Sequence, residues 1–178
     1  MKRFTKIIWR PEVLLIALVL MALVLARHVQ DIEFNFGSSG EYISGTSVTV
    51  IDGDGLKVGG QHIRIWGIDA PETEQSCTRD GQSYACGGEA TALMRELVRE
   101  GDIRCEEKDR DRYGRIVARC FAGETDLAAE MVRQGYALDW RRYSGGFYAR
   151  QEREARRAQR GIWAGEFEKP WEWRWSRQ

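Results

Sequence analysis

The chain has 178 residues, enough for one domain with a true core and too few for two. Its 43% hydrophobic and 30% charged residues are an ordinary globular balance, which excludes a disordered chain. Its 27 basic and 27 acidic side chains cancel to a formal net charge of zero, which argues against simple electrostatic coating of nucleic acid.

The N-terminus reads as a targeting segment. Lys2, Arg3, Lys6 and Arg10 precede an unbroken apolar run at 13–26. Its fourteen residues fall short of the ~20 that span a bilayer and suit a signal-peptide core, with Val24-Leu25-Ala26 as a small-residue cleavage site. Counting Ile7, Ile8 and Trp9, an uncleaved tilted anchor with its basic end inside is the alternative, so 1–26 is a signal peptide or a membrane anchor. Either way the rest of the chain is expected to be exported, periplasmic or secreted. Residues 27–45, with Gly37-Ser38-Ser39-Gly40 and no periodicity, read as a linker. The folded domain is expected at 46–165 and a Trp-rich tail at 166–178.

Short alternating strands begin near Ser47, with Val48 and Val50, then Leu56 and Val58. Gly59-Gly60 marks a hairpin turn into His62, Ile63, Arg64, Ile65 and Trp66. Residues 67–86 read as loop. Residues 89–99 form a helix with Ala92, Leu93 and Leu97 on one face, stopped by Gly101. Strands follow at 103–107 and 116–121 around a turn at Arg112 and Tyr113. Thr125 is expected to cap a second helix at 126–134, ended by Gly135, and a third helix runs from 146 to 159. Five short strands interrupted and followed by three helices predict an α+β, mainly β fold: a five-stranded OB-type barrel with helices packed at one end.

Charge is unevenly spread. Between His28 and Leu56 there are five acids and no Lys or Arg, whereas 141–160 holds seven arginines against two glutamates. Basic charge can thus surround an acidic centre, or that arginine run is simply the solvated face of a helix.

The four cysteines, Cys77, Cys86, Cys105 and Cys120, are even in number and contain no C-x-x-C pair. Cys105 and Cys120 are equidistant from the turn at Arg112 and Tyr113, so a two-residue hairpin sets them directly opposite, close enough to bridge. Cys77 and Cys86 then close the loop between them. Exported chains form such bonds; cytosolic ones seldom do.

Three segments carry the chemistry: V-I-D-G-D-G at 50–55, I-R-I-W-G-I-D-A-P-E at 63–72 and D-R-Y-G-R at 111–115. Each alone has an ordinary turn or surface explanation. Arg64 is the least ordinary, since an arginine within an Ile-rich strand must reach an acidic partner or the surface. Together they offer acidic oxygens for a hard cation and guanidiniums for a phosphate, which is the equipment for cutting a phosphodiester. With only His28 and His62, a histidine-based mechanism is poorly supported.

In order and spacing, D-G-D, then R-x-x-x-x-D-x-P-E, then D-R-Y-G-R, the stretch 48–163 resembles the staphylococcal nuclease (thermonuclease) family. The likeness continues through L-A-A-E-M-V-R-Q-G at 127–135 and Gly161-Ile162-Trp163. The resemblance implies an OB-type barrel and calcium-dependent hydrolysis of DNA and RNA by a monomer, leaving 3′-phosphate ends. It further implies that Asp54, Asp69 and the main-chain carbonyl of Ala70 hold Ca2+, with Asp52 as a supporting acid. Glu72 matches the general base, Arg64 and Arg115 the phosphate-clamping arginines, and Tyr113 and Tyr143 the nucleotide-pocket tyrosines. Gly55 departs from the family's usual Thr or Ser, removing a hydroxyl near the metal ligands. The run Trp171-Glu172-Trp173-Arg174-Trp175 has no counterpart; its aromatics are expected to pack on the barrel, stack on bases or rest on a membrane. The alternative function is a non-catalytic nucleic-acid or protein-binding module tethered in the envelope. Its mark, loss of the acids or arginines, is absent.

Overall fold

A computed structural model of the chain describes Met21, residues 42–45 and residues 47–177. All of the expected leader but Met21, and residues 27–41 of the expected linker, lie outside the described residues. The linker's end, Tyr42–Ser44, is instead a strand paired with residues 104–106. Among those described, no helix is long and apolar enough to cross a membrane.

The architecture is α+β and mainly sheet. Strands β1 (Tyr42–Ser44), β2 (Val48–Val50), β3 (Gly55–Val58) and β4 (Gln61–Ile65) are followed by the short β5 (Ile68–Asp69). A small hairpin, β6 (Cys77–Arg79) and β7 (Gln82–Tyr84), leads into helix α1 (Cys86–Leu97). The long pair β8 (Ile103–Arg110) and β9 (Ile116–Ala122) precedes β10 (Thr125–Asp126), helix α2 (Leu127–Arg133) and β11 (Leu138–Asp139). Helices α3 (Arg141–Ser144) and α4 (Ala149–Arg157), a 3-10 turn (Gly161–Ala164) and helix α5 (Pro170–Trp175) complete the described chain.

The main sheet runs β1-β8-β9-β4-β3-β2, with β10 added to β9; only the β4–β9 pair is parallel. The alternation explains its inner face. Leu56, Val58, Ile63, Ile65, Ile103, Ile116 and Ala118 are all buried, while Lys57 and His62 between them face solvent. Leu127, Met131 and Val132 of α2 and Ala90, Met94 and Leu97 of α1 close over the same core.

Among the described residues, four expectations change. No closed five-stranded barrel forms: the hydrogen-bonded path is open, with β1 and β2 at its two ends. Those two strands are consecutive in the chain, so the polypeptide joins the ends where no ladder does. Instead of three helices there are five at 42–177, because Tyr143 and its neighbours wind one extra turn and the Trp-rich tail is helical from its N-terminal Pro170. The 67–86 segment is not all loop: Asp80 and Gly81 both take positive φ, at 52° and 75°, which is the geometry of a tight two-residue hairpin. The second helix is capped by Asp126 rather than Thr125, the carboxylate accepting the Ala129 amide at 3.1 Å.

Both disulfides are formed. Cys105 and Cys120 are directly opposed in the β8–β9 ladder and fully buried. Cys77 and Cys86 tie the small hairpin to the start of α1. The tip of the long hairpin differs from the two-residue turn expected, since the chain turns over 111–115 and the ladder shifts register between Glu107 and Asp109.

Candidate active site

The 51–55 turn sets the first acid in place. The Ile51 amide donates to the Gly55 carbonyl at 2.9 Å, and the Asp52 carboxylate accepts the Asp54 amide at 3.0 Å. A Cβ on Gly55 would sit 2.7 Å from that Asp52 oxygen, so the bare residue leaves room for the carboxylate to fold back on the turn. Gly55 is also the ladder partner of Arg64, which puts Arg64 beside Asp54.

Asp69 arrives from β5, which pairs with β11, and is completely buried. Glu72 follows on the loop against α1. That approach is close: a Cβ on Gly87 would lie 1.7 Å from the Glu72 carbonyl oxygen, so the helix start tolerates only glycine there. Buried Gln75 fixes the same loop, its side-chain oxygen accepting the Glu72 amide at 3.2 Å and its carbonyl accepting the Gly87 amide at 3.1 Å.

The side chains form a continuous chain of ion pairs. Asp54 meets Arg64 at 2.6 Å, and Arg64 meets Asp69 at 2.5 Å. Arg174 of α5 then reaches Asp69 at 2.8 Å and Glu72 at 2.5 Å. The other Asp54 oxygen accepts the Ala70 amide at 2.8 Å. The indole of Trp140 lies 5.9 Å from the Arg64 guanidinium carbon and 5.7 Å from that of Arg174, a cation–π setting for both.

Burial pushes the Asp54 carboxyl up to about 8; the Arg64 guanidinium opposes this, while the Asp69 and Asp52 carboxylates add to it. For Arg64 and Arg174 burial works downward, but their acidic partners outweigh it and hold both guanidiniums above their ordinary value. Among the described residues no three His, Cys, Asp or Glu side chains stand together as a ready metal cage, since guanidiniums lie between the acids. The donor set nonetheless fits a hard divalent cation. It offers oxygen alone, and four acids (Asp52, Asp54, Asp69, Glu72) outnumber the two guanidiniums paired with them.

Asp52, Asp54, Arg64, Asp69, Ala70 and Glu72 therefore converge. In the third segment Arg115 precedes Ile116, the ladder partner of Ile63 beside Arg64. It donates to Asp111 at 2.7 Å rather than to the acids above, and Tyr113 at the hairpin tip is 71% exposed. Although partial burial works upward on Asp111, the Arg115 guanidinium and the Arg115 and Tyr113 amides hold its carboxyl below the usual range. Tyr143 packs edge-on against Trp140, 4.4 Å between ring centroids, and so stands near the centre through that indole. Exposed His62 plays no part. Sequence reasoning missed Arg174, Trp140 and Gln75. The signal for Arg174 was an arginine between tryptophans in a segment matching nothing else.

A sequence model of the family described as "Staphylococcal nuclease homologue" matches residues 62–165. The match takes in Arg64, Asp69, Glu72 and Arg115; Asp54 precedes it and Arg174 follows it. The chain is 37% identical over 118 residues to "Succinoglycan biosynthesis protein ExoI" of Rhizobium meliloti (strain 1021), covering 65% of this chain and 62% of that protein. It is 35% identical over 114 residues to "Probable staphylococcal-like nuclease CAN2" of Oryza sativa subsp. japonica, covering 63% of this chain but 28% of that one. To "Micrococcal nuclease" of Shigella flexneri it is 32% identical over 147 residues, 73% of this chain and 79% of the relative. The chain thus spans less than two thirds of the first two relatives and more than two thirds of the third.

Proposed function

The chain belongs to the staphylococcal nuclease family, and on that premise we propose that it is an exported, calcium-dependent endonuclease cutting DNA and RNA. The observation that carries this reading is the unbroken run of ion pairs from Asp54 through Arg64 and Asp69 to Glu72. It supports the reading by bringing two buried carboxylates, a guanidinium and a half-exposed carboxylate together. Support for export comes from the basic and apolar leader and from the two disulfides.

Asp54, Asp69 and the Ala70 carbonyl would hold the calcium, with Asp52 steadying the turn that carries Asp54. Bound there, the ion supplies Lewis acidity toward a phosphate oxygen. Arg64 binds the scissile phosphate through its planar fork and follows the charge that builds on its oxygens. Arg115, which precedes the residue laddered to Ile63 beside Arg64, is the second phosphate-binding guanidinium. Glu72 accepts a proton from the attacking water. As the water oxygen bonds to phosphorus, the bond to the 5′-oxygen breaks. The products are a 3′-phosphate and a 5′-hydroxyl whose oxygen takes its proton from solvent. Tyr113 and Tyr143 flank the nucleotide, and the enzyme acts as a monomer.

The test is incubation of the purified protein with single- and double-stranded DNA and with RNA, in calcium, in magnesium and in chelator. Cleavage in calcium that chelator abolishes, with 3′-phosphate ends, is expected. Cleavage unaffected by chelator, or none on any substrate, would sink the proposal.

A further inference from the structure

The tail is anchored independently of the acids it touches. The Thr78 amide donates to the Glu166 carbonyl and the Glu166 amide to that of Thr78, both at 2.8 Å. Gln75 donates its side-chain amide to the Glu168 carbonyl at 2.6 Å. Trp171 then lies parallel to Trp140, with centroids 6.2 Å apart and planes at 6°. It joins a small apolar cluster with the Cys77–Cys86 disulfide, Leu138 and Ile162. The tail is thus docked on the disulfide-tied hairpin that the Glu72 loop leads into.

From this seat α5 points one cation inward. Arg174 is three residues after Trp171, hence on the same helix face. One guanidinium nitrogen lies 2.8 Å from an Asp69 oxygen, and the other is 3.1 Å from the second Asp69 oxygen and 2.5 Å from Glu72. Asp69 is wholly buried, and Arg64 already holds one of its oxygens. Arg174 accordingly engages the acids, not an opening where a phosphate would enter. A divalent cation on Asp69 and a guanidinium spanning Asp69 and Glu72 compete for the same lone pairs.

We infer that α5 is a built-in latch, with Arg174 a tethered counter-cation that must leave Asp69 and Glu72 for a divalent cation to load. This rests on the reading of Asp54 and Asp69 as metal ligands. Loading and unlatching are then linked: calcium weakens the seat of α5, and the seated helix weakens calcium by the same factor. If the latch is open in about one molecule in ten, the apparent calcium dissociation constant is about tenfold above its latch-free value.

The experiment measures calcium binding to the full-length protein by titration calorimetry. Amide hydrogen exchange of residues 170–177, with and without calcium, is measured alongside. Arg174→Gln is expected to bind calcium about tenfold tighter. Trp171→Ala, which loosens the seat without touching the acids, should shift affinity in the same direction and stands in if Arg174→Gln does not fold. Lys169→Gln removes an exposed charge from the N-terminal end of the same helix, opposite Arg174, and should leave affinity unchanged. Calcium should speed exchange in 170–177 of the wild type. The latch is overturned if Arg174→Gln and Trp171→Ala bind calcium no tighter than wild type, if Lys169→Gln tightens as much as Arg174→Gln, or if calcium leaves 170–177 equally protected. Absence of calcium binding in wild type and all variants would instead remove the metal-centre reading, and the latch with it.

Discussion

Arg64→Ala separates the structural from the chemical role of the arginine that links the two buried acids. Its side chain is 16% exposed, and its partners on Asp54 and Asp69 are 4% and 0% exposed, so solvent screens neither pair. Asp69 keeps Arg174 after the substitution, but Asp54 keeps only the Ala70 amide. At a pH above the raised Asp54 value of about 8, where that carboxyl is ionised, removing one member of a buried pair leaves an uncompensated charge and costs about 3–5 kcal/mol, far more than the pair itself contributes over an apolar replacement. With a slope of about 2 kcal/mol per molar urea, the unfolding midpoint in chelator should fall by roughly 1.5–2.5 M. Asp54→Asn removes the stranded charge, so in that background Arg64→Ala should cost about 1–2 kcal/mol less, the coupling read from the four midpoints of a double-mutant cycle. Turnover should drop by on the order of a hundredfold or more at temperatures where the variant is folded, since a guanidinium facing the developing phosphate charge is lost. Arg64→Lys should restore little of it, a point charge being unable to fork between two acids or two phosphate oxygens. A midpoint within about 0.5 M of wild type, or no coupling to Asp54, would show that Arg64 does not hold this centre together.

Glu72→Gln should lower single-turnover cleavage by roughly 10²–10⁴-fold while stability changes by less than about 1 kcal/mol, because Glu72 is partly exposed and an amide oxygen can still accept from Arg174. Retention of near-wild-type cleavage would remove Glu72 as the base. Gly87→Ala should cost at least about 2 kcal/mol in thermal or urea unfolding, because its Cβ meets the Glu72 carbonyl, whereas Gly88→Ala, with its nearest atom 3.6 Å away, should be neutral or stabilising. Equal effects at both positions would refute the close approach. Asp111, held low by Arg115, contributes stability that is present above its ordinary value of 3.8 and lost as pH falls through the depressed one. Carboxyl NMR should therefore place its midpoint below 3.8, and Asp111→Asn should remove that acid-range dependence; a midpoint at or above 3.8 would refute the contact.

The strand pattern was legible because burial obeys a period of two, and Leu56, Val58, Ile63, Ile65, Ile116 and Ala118 all follow it. The pairing of Cys105 with Cys120 was legible for a subtler reason. The turn at 111–115 is one residue longer than a two-residue hairpin, and the ladder slips by one between Glu107 and Asp109. The two departures cancel, so the cysteines face one another as simple counting from the turn requires. The small hairpin was hidden although its turn, Asp80-Gly81, is a recognised two-residue type. Its strands, Cys-Thr-Arg and Gln-Ser-Tyr, have no apolar alternation to announce them.

The site was legible only as far as local order fixes it. Asp54 and Arg64 meet because two adjacent strands pair Gly55 with Arg64, a short-range consequence of one hairpin. Arg174 meets Asp69 across 105 residues and Glu72 across 102, and nothing in a single sequence encodes such a pairing. What sequence does supply is a charge imbalance. Buried acids clustered in 52–72 must find cations, and Arg64 alone cannot neutralise them. The arginine that completes the set comes from beyond the matched residues 62–165. A tail outside the matched residues can supply a cation that reaches the centre without altering any residue of the matched pattern. That places control of the site in Trp171 and Arg174, so that reading such a chain requires asking which of its own cations the catalytic acids hold before a metal or a phosphate arrives.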